Sequence, residues 1–409
     1  MYQRFITNHL LSALGDSPVV LVNGARQTGK TTLVRAVRDD RSAQFISFDD
    51  GGYLAAAKSD PAGFVAGLSG PVVIDEVQHV PELFPAIKAS VDRNRAPGRF
   101  LLTGSANVLL LPRLSESLAG RMEILTLWPL AQAEVEGLGP GLVDMLFGDD
   151  LSLDLARIER VDLMGRVLGG GYPEPLARRS DGRRRAWFSS YVTTILQRDV
   201  RELSNIDGLT EMPRLLALLA TRSASLLNLS EVSRGTGIPN TTLSRYMSLL
   251  QATYLVRLLP AWSANLGKRL VRSPKVFVND TGLIASLLGL NTERLEQVGP
   301  LFGQILENFV VMEVLKDVGG SETLPELFHF RTQGGAEVDL LLEDPAGRIV
   351  GIEVKSSSSV SYSDFRGLRE LAEATGERFH RGIVLYTGES VVPFGEHLHA
   401  VPIQVLWTR

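Results

Sequence analysis

Residues 24–31 read Gly-Ala-Arg-Gln-Thr-Gly-Lys-Thr, preceded by the apolar, β-branched run Val19–Asn23 and followed by a helix-like pattern over residues 30–38. A strand that delivers a glycine-bearing loop to a helix N-terminus aims successive backbone N–H groups at one point, and that point suits the β- and γ-phosphates of a nucleotide. Gly24 and Gly29 permit a backbone approach that a side chain would block. Gly24, Ala25, Arg26, Gln27, Thr28, Gly29, Lys30, Thr31 and Thr32 are therefore the expected nucleotide-binding residues, Lys30 supplying a positive charge and Thr31 a hydroxyl for Mg²⁺. A bound nucleoside triphosphate is the expectation this loop sets.

The stretches around it alternate in the same way. Residues 44–48, 72–74 and 100–103 are strand-like and separated by helical patterns, which argues for a parallel α/β sheet. Val72-Val-Ile-Asp75-Glu76 is an apolar strand ending in two carboxylates. In a phosphate-loop enzyme Asp75 would help hold Mg²⁺ and Glu76 would polarise the attacking water; the plainer alternative is a core strand with two exposed acids at its end. The strand at 100–103 leads into Thr103-Gly-Ser105, where either hydroxyl could sense the γ-phosphate or the water, or simply mark a turn. Arg121 is a candidate for neutralising charge on a transferred phosphoryl group, with a surface salt bridge as its competitor. The expected catalytic set is Lys30, Glu76, Ser105 and Arg121.

At 409 residues the chain is long enough for two to three domains. The pattern suggests an ATPase-type core over 1–130, a helical lid or connector over 131–220, a winged-helix unit over 221–300 and a further α/β domain over 301–409. The chain has no cysteine, and its six histidines show no zinc-ligand spacing, so any metal must sit on oxygen. The net charge of −4 gives no global attraction to nucleic acid, leaving any such contact to local patches. No run of about 18 apolar residues and no signal-like start is present, so a cytoplasmic protein without membrane contact is expected.

Two short helical patterns at 230–235 and 239–250, around the turn 235–239, have helix-turn-helix arithmetic. Leu243, Met247 and Leu250 share one face of the second, leaving Asn240, Thr241, Ser244 and Arg245 to point outward, as a helix entering a major groove requires. A basic tip with Lys268, Arg269 and Arg272 would contact phosphates. The competing reading packs this unit against neighbouring domains or a protein partner.

Near the C-terminus Glu337-Val-Asp339 begins one strand of a hairpin that turns at 344–347 and returns through Glu353-Val-Lys355. Antiparallel pairing sets residue 339 opposite 352 or 353, and alternation places Glu353 and Lys355 on one face. Asp339 and Glu353 could then bind Mg²⁺ or Mn²⁺, with Lys355 activating water for attack on a phosphodiester and Glu307 or Glu313 completing the set. Alternatively, Lys355 only pairs with Glu353 or Glu337.

The segments GARQTGKTTL, VVIDE, FLLTGS and AGR, continued by GGYPEP, YVTTILQRDV and KVFVNDTGL, resemble the AAA+ ATPases of bacteria and archaea that carry an uncharacterised C-terminal domain. That resemblance spans nearly the whole chain and implies ATP and Mg²⁺ as ligands, ATP hydrolysis, and assembly into rings or smaller homo-oligomers in which an arginine finger crosses a subunit boundary. The C-terminal hairpin resembles the PD-(D/E)xK nucleases, which implies Asp339 as metal aspartate, Glu353 and Lys355 as the motif pair and Glu307, ahead of Glu313, as the helix glutamate; Val338 stands where a proline is frequent. The expected architecture is multidomain α/β: a P-loop NTPase parallel sheet, a helical lid with a winged helix, and a restriction-endonuclease-like domain. Two functions follow, an ATPase coupled to DNA binding or processing, or a nucleotide-dependent switch for a protein partner, of a defence or toxin type, with a silent nuclease-like domain.

Overall fold

The computed structural model describes residues 2–105, 118–149, 151, 160–200, 209–265, 267, 269, 272–297, 299–332 and 334–408. The chain forms two compact units, one of Arg4–Pro129 with Ser248–Leu255, the other of Met1–Gln3, Leu130–Met247 and Val256–Arg409.

The first unit is built on five parallel strands, β1 (Val19–Asn23), β2 (Gln44–Ser47), β3 (Val72–Asp75), β4 (Phe100–Gly104) and β5 (Met122–Thr126), in the order β2-β3-β4-β1-β5. Strands covered on both faces read as unbroken apolar runs, and β1 is buried at every position. Its alternate residues serve two cores. Val19 and Leu21 pack with Ile74, Phe84, Ile87, Phe100 and Leu102, while Val20 and Val22 pack with Leu10, Leu14, Leu33, Val34 and Leu101. The helices Thr7–Asp16 and Lys30–Arg41 contribute to the second core and Leu83–Arg93 to the first. Because every strand runs the same way, the loops after β1, β3 and β4 emerge at one edge of the sheet, the crevice where α/β sheets bind ligands.

In the second unit the helices Met212–Thr221 and Leu229–Thr236 and the first part of the helix Asn240–Ala252 accompany a small antiparallel sheet, β6 (Ser225–Leu226), β7 (Val256–Leu259) and β8 (Lys275–Val278), in the order β6-β8-β7. Asn228 caps the middle helix by accepting from the Glu231 N–H, and Gly237 ends it at φ 78°, the left-handed geometry of a helix C-cap.

A larger sheet follows the buried helix Gly299–Val318. It comprises β9 (Glu326–Arg331), β10 (Glu337–Glu343), β11 (Ile349–Lys355), β12 (Phe379–Tyr386), β13 (Val392–Pro393) and β14 (Leu398–Pro402), ordered β13-β14-β12-β11-β10-β9. β9, β10 and β11 are a meander, and the helix Arg366–Thr375 makes the crossover to β12, which runs parallel to β11. That helix lays Leu368 and Leu371 on Val338, Leu341, Ile349 and Val384.

The Gly-Gly-Tyr-Pro-Glu-Pro segment serves architecture. Gly171 lies so close to the Leu130 carbonyl that a Cβ would sit 2.1 Å from its oxygen. Its N–H donates to Asp280, whose carboxylate also caps the helix Thr281–Leu288. The Tyr172 hydroxyl bonds that of Tyr191 and accepts from Asn279. The stretch 142–147 is a short helix with Leu142, Val143, Leu146 and Phe147 buried.

Candidate active site

The phosphate loop leaves β1 at Asn23 and enters the helix Lys30–Arg41 through Gly29, which is left-handed at φ 97°. Gly24 is required by space as well as by conformation, since a Cβ there would come within 2.2 Å of the Leu127 carbonyl oxygen. Gln27 holds φ 61° without being glycine, the kind of strain that proteins keep at functional turns. The Thr28 hydroxyl donates to the Ala25 carbonyl, and the Lys30 ammonium, largely buried, donates to the carbonyls of Gly24 and Ala25 at 3.0 and 2.8 Å. Arg26 is half-buried, whereas Thr32 faces solvent on the first turn of the helix.

Two threonines converge on Asp75. Thr31 Oγ1 lies 3.0 Å from both carboxylate oxygens, and Thr103 Oγ1 donates to Oδ1 at 2.5 Å. Thr31 begins the helix beyond the loop, Asp75 ends β3, and Thr103 sits on β4, the strand between β3 and β1. Burial pushes the Asp75 carboxyl up from its ordinary range, opposed by the Thr103 hydrogen bond. A hydroxyl beside a buried carboxylate at the foot of a phosphate loop is an oxygen donor set suited to a small divalent cation.

Glu76 adopts φ 58°, a left-handed conformation that turns the chain sharply after β3. Its N–H donates to Thr103 Oγ1 at 3.0 Å, and its carboxylate accepts from the Gln78 amide. Gln78 in turn donates to Ser105 Oγ at 3.0 Å, which ties Ser105 into the group. Glu76, Ser105 and Asp75 thus belong to one hydrogen-bonded network whose linking members are Gln78 and Thr103. Gln78 gives no pattern signal in the sequence.

Arg4 was equally illegible. Its guanidinium, 8% exposed, donates to the Thr28 carbonyl at 2.6 Å and to the Trp128 carbonyl at 2.7 Å, bracing the loop from behind. Arg121 is not brought to the loop. It precedes β5, whose Met122 pairs with Val19 at the start of β1, so about five residues, or roughly 16 Å of strand, separate it from the loop in the same chain. Its Nε instead pairs with Asp92 at 2.6 Å.

On the helix Asn240–Ala252, Thr241, Ser244 and Arg245 are exposed and Leu243, Met247 and Leu250 buried, as the helical face requires. Lys268 lies outside the described residues. Arg269 departs from expectation: it is not a free basic tip, because its guanidinium pairs with Glu343 at 2.7 Å, donates to the Ser263 carbonyl and lies over the rings of Trp262 and Phe328. The chain beyond β7 is docked by Trp262 N–H to the His329 carbonyl and His329 N–H to the Pro260 carbonyl.

The hairpin register Leu340 with Ile352 extends to put Asp339 opposite Glu353, and Asp339 Oδ2 accepts from the Val354 N–H at 2.9 Å. Lys355 Nζ bonds Glu353 Oε1 at 2.8 Å. Of the two helix glutamates, Glu307 joins this group, while Glu313 pairs with Lys316 and accepts from the Gln132 N–H. A residue the sequence did not flag stands at the centre. Lys275 of β8, its side chain 2% exposed, places Nζ 2.7 Å from Glu307, 2.6 Å from Glu337 and 3.2 Å from Asp339. Burial works against that ammonium, but Asp339, Glu307 and Glu337 outweigh it and hold its pKa above the usual lysine range. Burial, reinforced by Asp339, pushes Glu353 up to about 8, and its Oε2 has no hydrogen-bond partner.

The expected Mg²⁺ or Mn²⁺ at Asp339 and Glu353 is therefore not supported by the donor set. Asp339 Oδ1 and Glu353 Oε1 each face an ammonium group, and among the described residues no group of three or more acidic or histidine side chains is arranged to hold a metal ion.

Comparison with known proteins agrees with the first unit. Residues 16–136 match the family model described as "AAA domain". Residues 160–294 and 302–406 match two models described as domains of unknown function (DUF8612 and DUF4143). Two curated relatives, "Uncharacterized protein Rv2008c" of Mycobacterium tuberculosis and "Uncharacterized protein Mb2031c" of Mycobacterium bovis, are each 35% identical over 99% of this chain and 85% of their own length. Among solved structures, the Walker-type ATPase paby2304 of Pyrococcus abyssi aligns with 70% of this chain and 96% of its own, at 16% identity and a TM-score of 0.41. No described helix is long and apolar enough to cross a membrane. With a phosphate loop, an acidic strand end and an AAA domain match at the same residues, the chain belongs with these mycobacterial proteins to a family of P-loop AAA-type ATPases.

Proposed function

We propose that the first unit hydrolyses ATP with Mg²⁺ and that the second unit couples this turnover to a macromolecule, of which duplex DNA is the better supported. The observation that carries hydrolysis is the convergence of Thr31 and Thr103 on Asp75, with Glu76 held beside them. In this reading the loop N–H groups and Lys30 bind the β- and γ-phosphates, and Thr31 with Asp75 would hold Mg²⁺, which when bound neutralises phosphate charge. Glu76 takes the proton of the attacking water, and Gln78 with Ser105 orients its carboxylate. Arg121 can meet a transferred phosphoryl only across a subunit boundary.

Support for DNA comes from the second unit. Helix, β6, two helices, β7 and β8, with the sheet ordered β6-β8-β7, supports a winged-helix reading, and Thr241, Ser244 and Arg245 form an outward polar face on the third helix. Arg269 gives no support, being committed to Glu343, and this docked tip favours the second reading, a switch that binds a protein partner. The helix Gly299–Val318 followed by β9, β10, β11, the crossover helix and β12 supports a restriction-endonuclease-like domain. ATP turnover measured with and without duplex DNA, in the native protein and in Arg245→Ala, separates the readings. Stimulation by DNA that Arg245→Ala weakens supports coupling to DNA; turnover indifferent to DNA contradicts it.

A further inference from the structure

Lys275 comes from β8, outside the sheet that carries Asp339, Glu337 and Glu353. An ammonium has three N–H donors and no acceptor, and Lys275 meets three carboxylate oxygens, one each from Glu307, Glu337 and Asp339, at 2.6–3.2 Å. The contacts to Glu307 and Glu337 are of charge-assisted hydrogen-bond length, and the nitrogen also lies against Asp339, the metal aspartate of the expected site, and against Glu307, its helix glutamate. A divalent cation needs oxygen contacts of about 2.0–2.6 Å, so it cannot share that point with the nitrogen. The second motif acid is engaged as well, since Glu353 is bonded to Lys355. Arg331 adds positive charge 3.8 Å from Glu337.

The lysine is also held from its own side. Three residues on, the β8 backbone at Val278 donates to Asn308 Oδ1 and its carbonyl accepts from Asn308 Nδ2, with Asn308 one residue from Glu307 on the same helix. Strand and helix are thus in fixed register, and the ammonium is delivered to the acids by backbone position rather than by a flexible side chain alone.

We infer that Lys275 is the resident cation of this acid cluster, taking the place of a divalent metal and closing the nuclease-like domain to metal-dependent phosphodiester chemistry. The inference rests on the restriction-endonuclease-like reading of β9–β12. In the native chain the cluster staples β8 to the large sheet, and Lys355 is held on Glu353 Oε1 rather than activating water.

The test is Mn²⁺ binding, followed by electron paramagnetic resonance of free Mn²⁺, to nucleotide-free full-length protein in four forms: native, Asp339→Asn, Lys275→Met, and Lys275→Met with Asp339→Asn. The expected result is no Asp339-dependent Mn²⁺ in the native protein, and one tightly held Mn²⁺ in Lys275→Met that the added Asp339→Asn removes. Native protein that binds one Mn²⁺, lost in Asp339→Asn, overturns the inference while leaving the fold reading standing. A folded Lys275→Met that gains no Mn²⁺ overturns both. Should Lys275→Met fail to fold, the native and Asp339→Asn titrations still decide whether the cluster is closed to metal.

Discussion

Replacing Thr103 by valine removes one oxygen from the centre of the ATPase network and leaves its volume unchanged. Thr103 Oγ1 donates to Asp75 at 2.5 Å and accepts from the Glu76 N–H at 3.0 Å. Asp75 is 2% exposed, so water does not replace the lost donor, and a hydrogen bond to a charged group is worth about 1.5–3 kcal/mol. At about 1.4 kcal/mol per decade this predicts a kcat lower by roughly 10–100-fold. In the proposed mechanism the loop and Lys30, not Thr103, bind the phosphates, so KM for ATP should stay within about threefold. Steady-state phosphate release over a range of ATP and Mg²⁺ measures both, and Thr103→Ser, which keeps the hydroxyl, should recover most of the rate. A Thr103→Val protein within twofold of native turnover would refute the reasoning, because Asp75 and Glu76 would then not depend on the residue between them.

Arg4→Ala removes two hydrogen bonds from a guanidinium to loop-flanking carbonyls; it should weaken nucleotide binding by about tenfold in a fluorescent-nucleotide titration and lower stability by about 2–3 kcal/mol in urea. His329 is 1% exposed, and burial lowers its pKa to about 4 against 6.5 in the unfolded chain. The unfolded state then binds the extra proton first, so this group's contribution is complete above about pH 6.5 and is lost as pH falls toward 4, by up to about 3 kcal/mol. Urea unfolding at pH 7 and pH 5 should show about 2 kcal/mol of that loss in native protein and a smaller one in His329→Leu.

Legibility in the sequence followed the range of the interactions. The phosphate loop, Asp75 and Glu76 sit on short contiguous patterns whose strand and helix context is itself local, so residues 24–31 and 72–76 could be placed without a structure. The hairpin register at Asp339 and Glu353 was set by one turn, whereas Glu307 and Glu313, six residues apart on one helix, could be ranked only by the nuclease resemblance. Arg4, Gln78 and Lys275 could not be read. Arg4 reaches a carbonyl 24 residues away, and Lys275 bonds acids 32 and 64 residues away through pairings that only the folded sheets define. Arg269 failed for the converse reason: a basic residue in a loop looks solvent-facing until Glu343, 74 positions later, supplies its partner.

ATP turnover and ATP binding in Glu76→Gln, measured side by side, test the central claim most directly. The substitution keeps a side chain of the same shape beside Gln78 and removes only the basic carboxylate. Hydrolysis by the loop built on Lys30, Thr31 and Asp75 predicts that native protein releases phosphate from ATP in Mg²⁺, and that Glu76→Gln binds ATP within about threefold of native while turning it over at least 100-fold more slowly. Native-level turnover in Glu76→Gln, or no turnover by the native protein, would contradict the account.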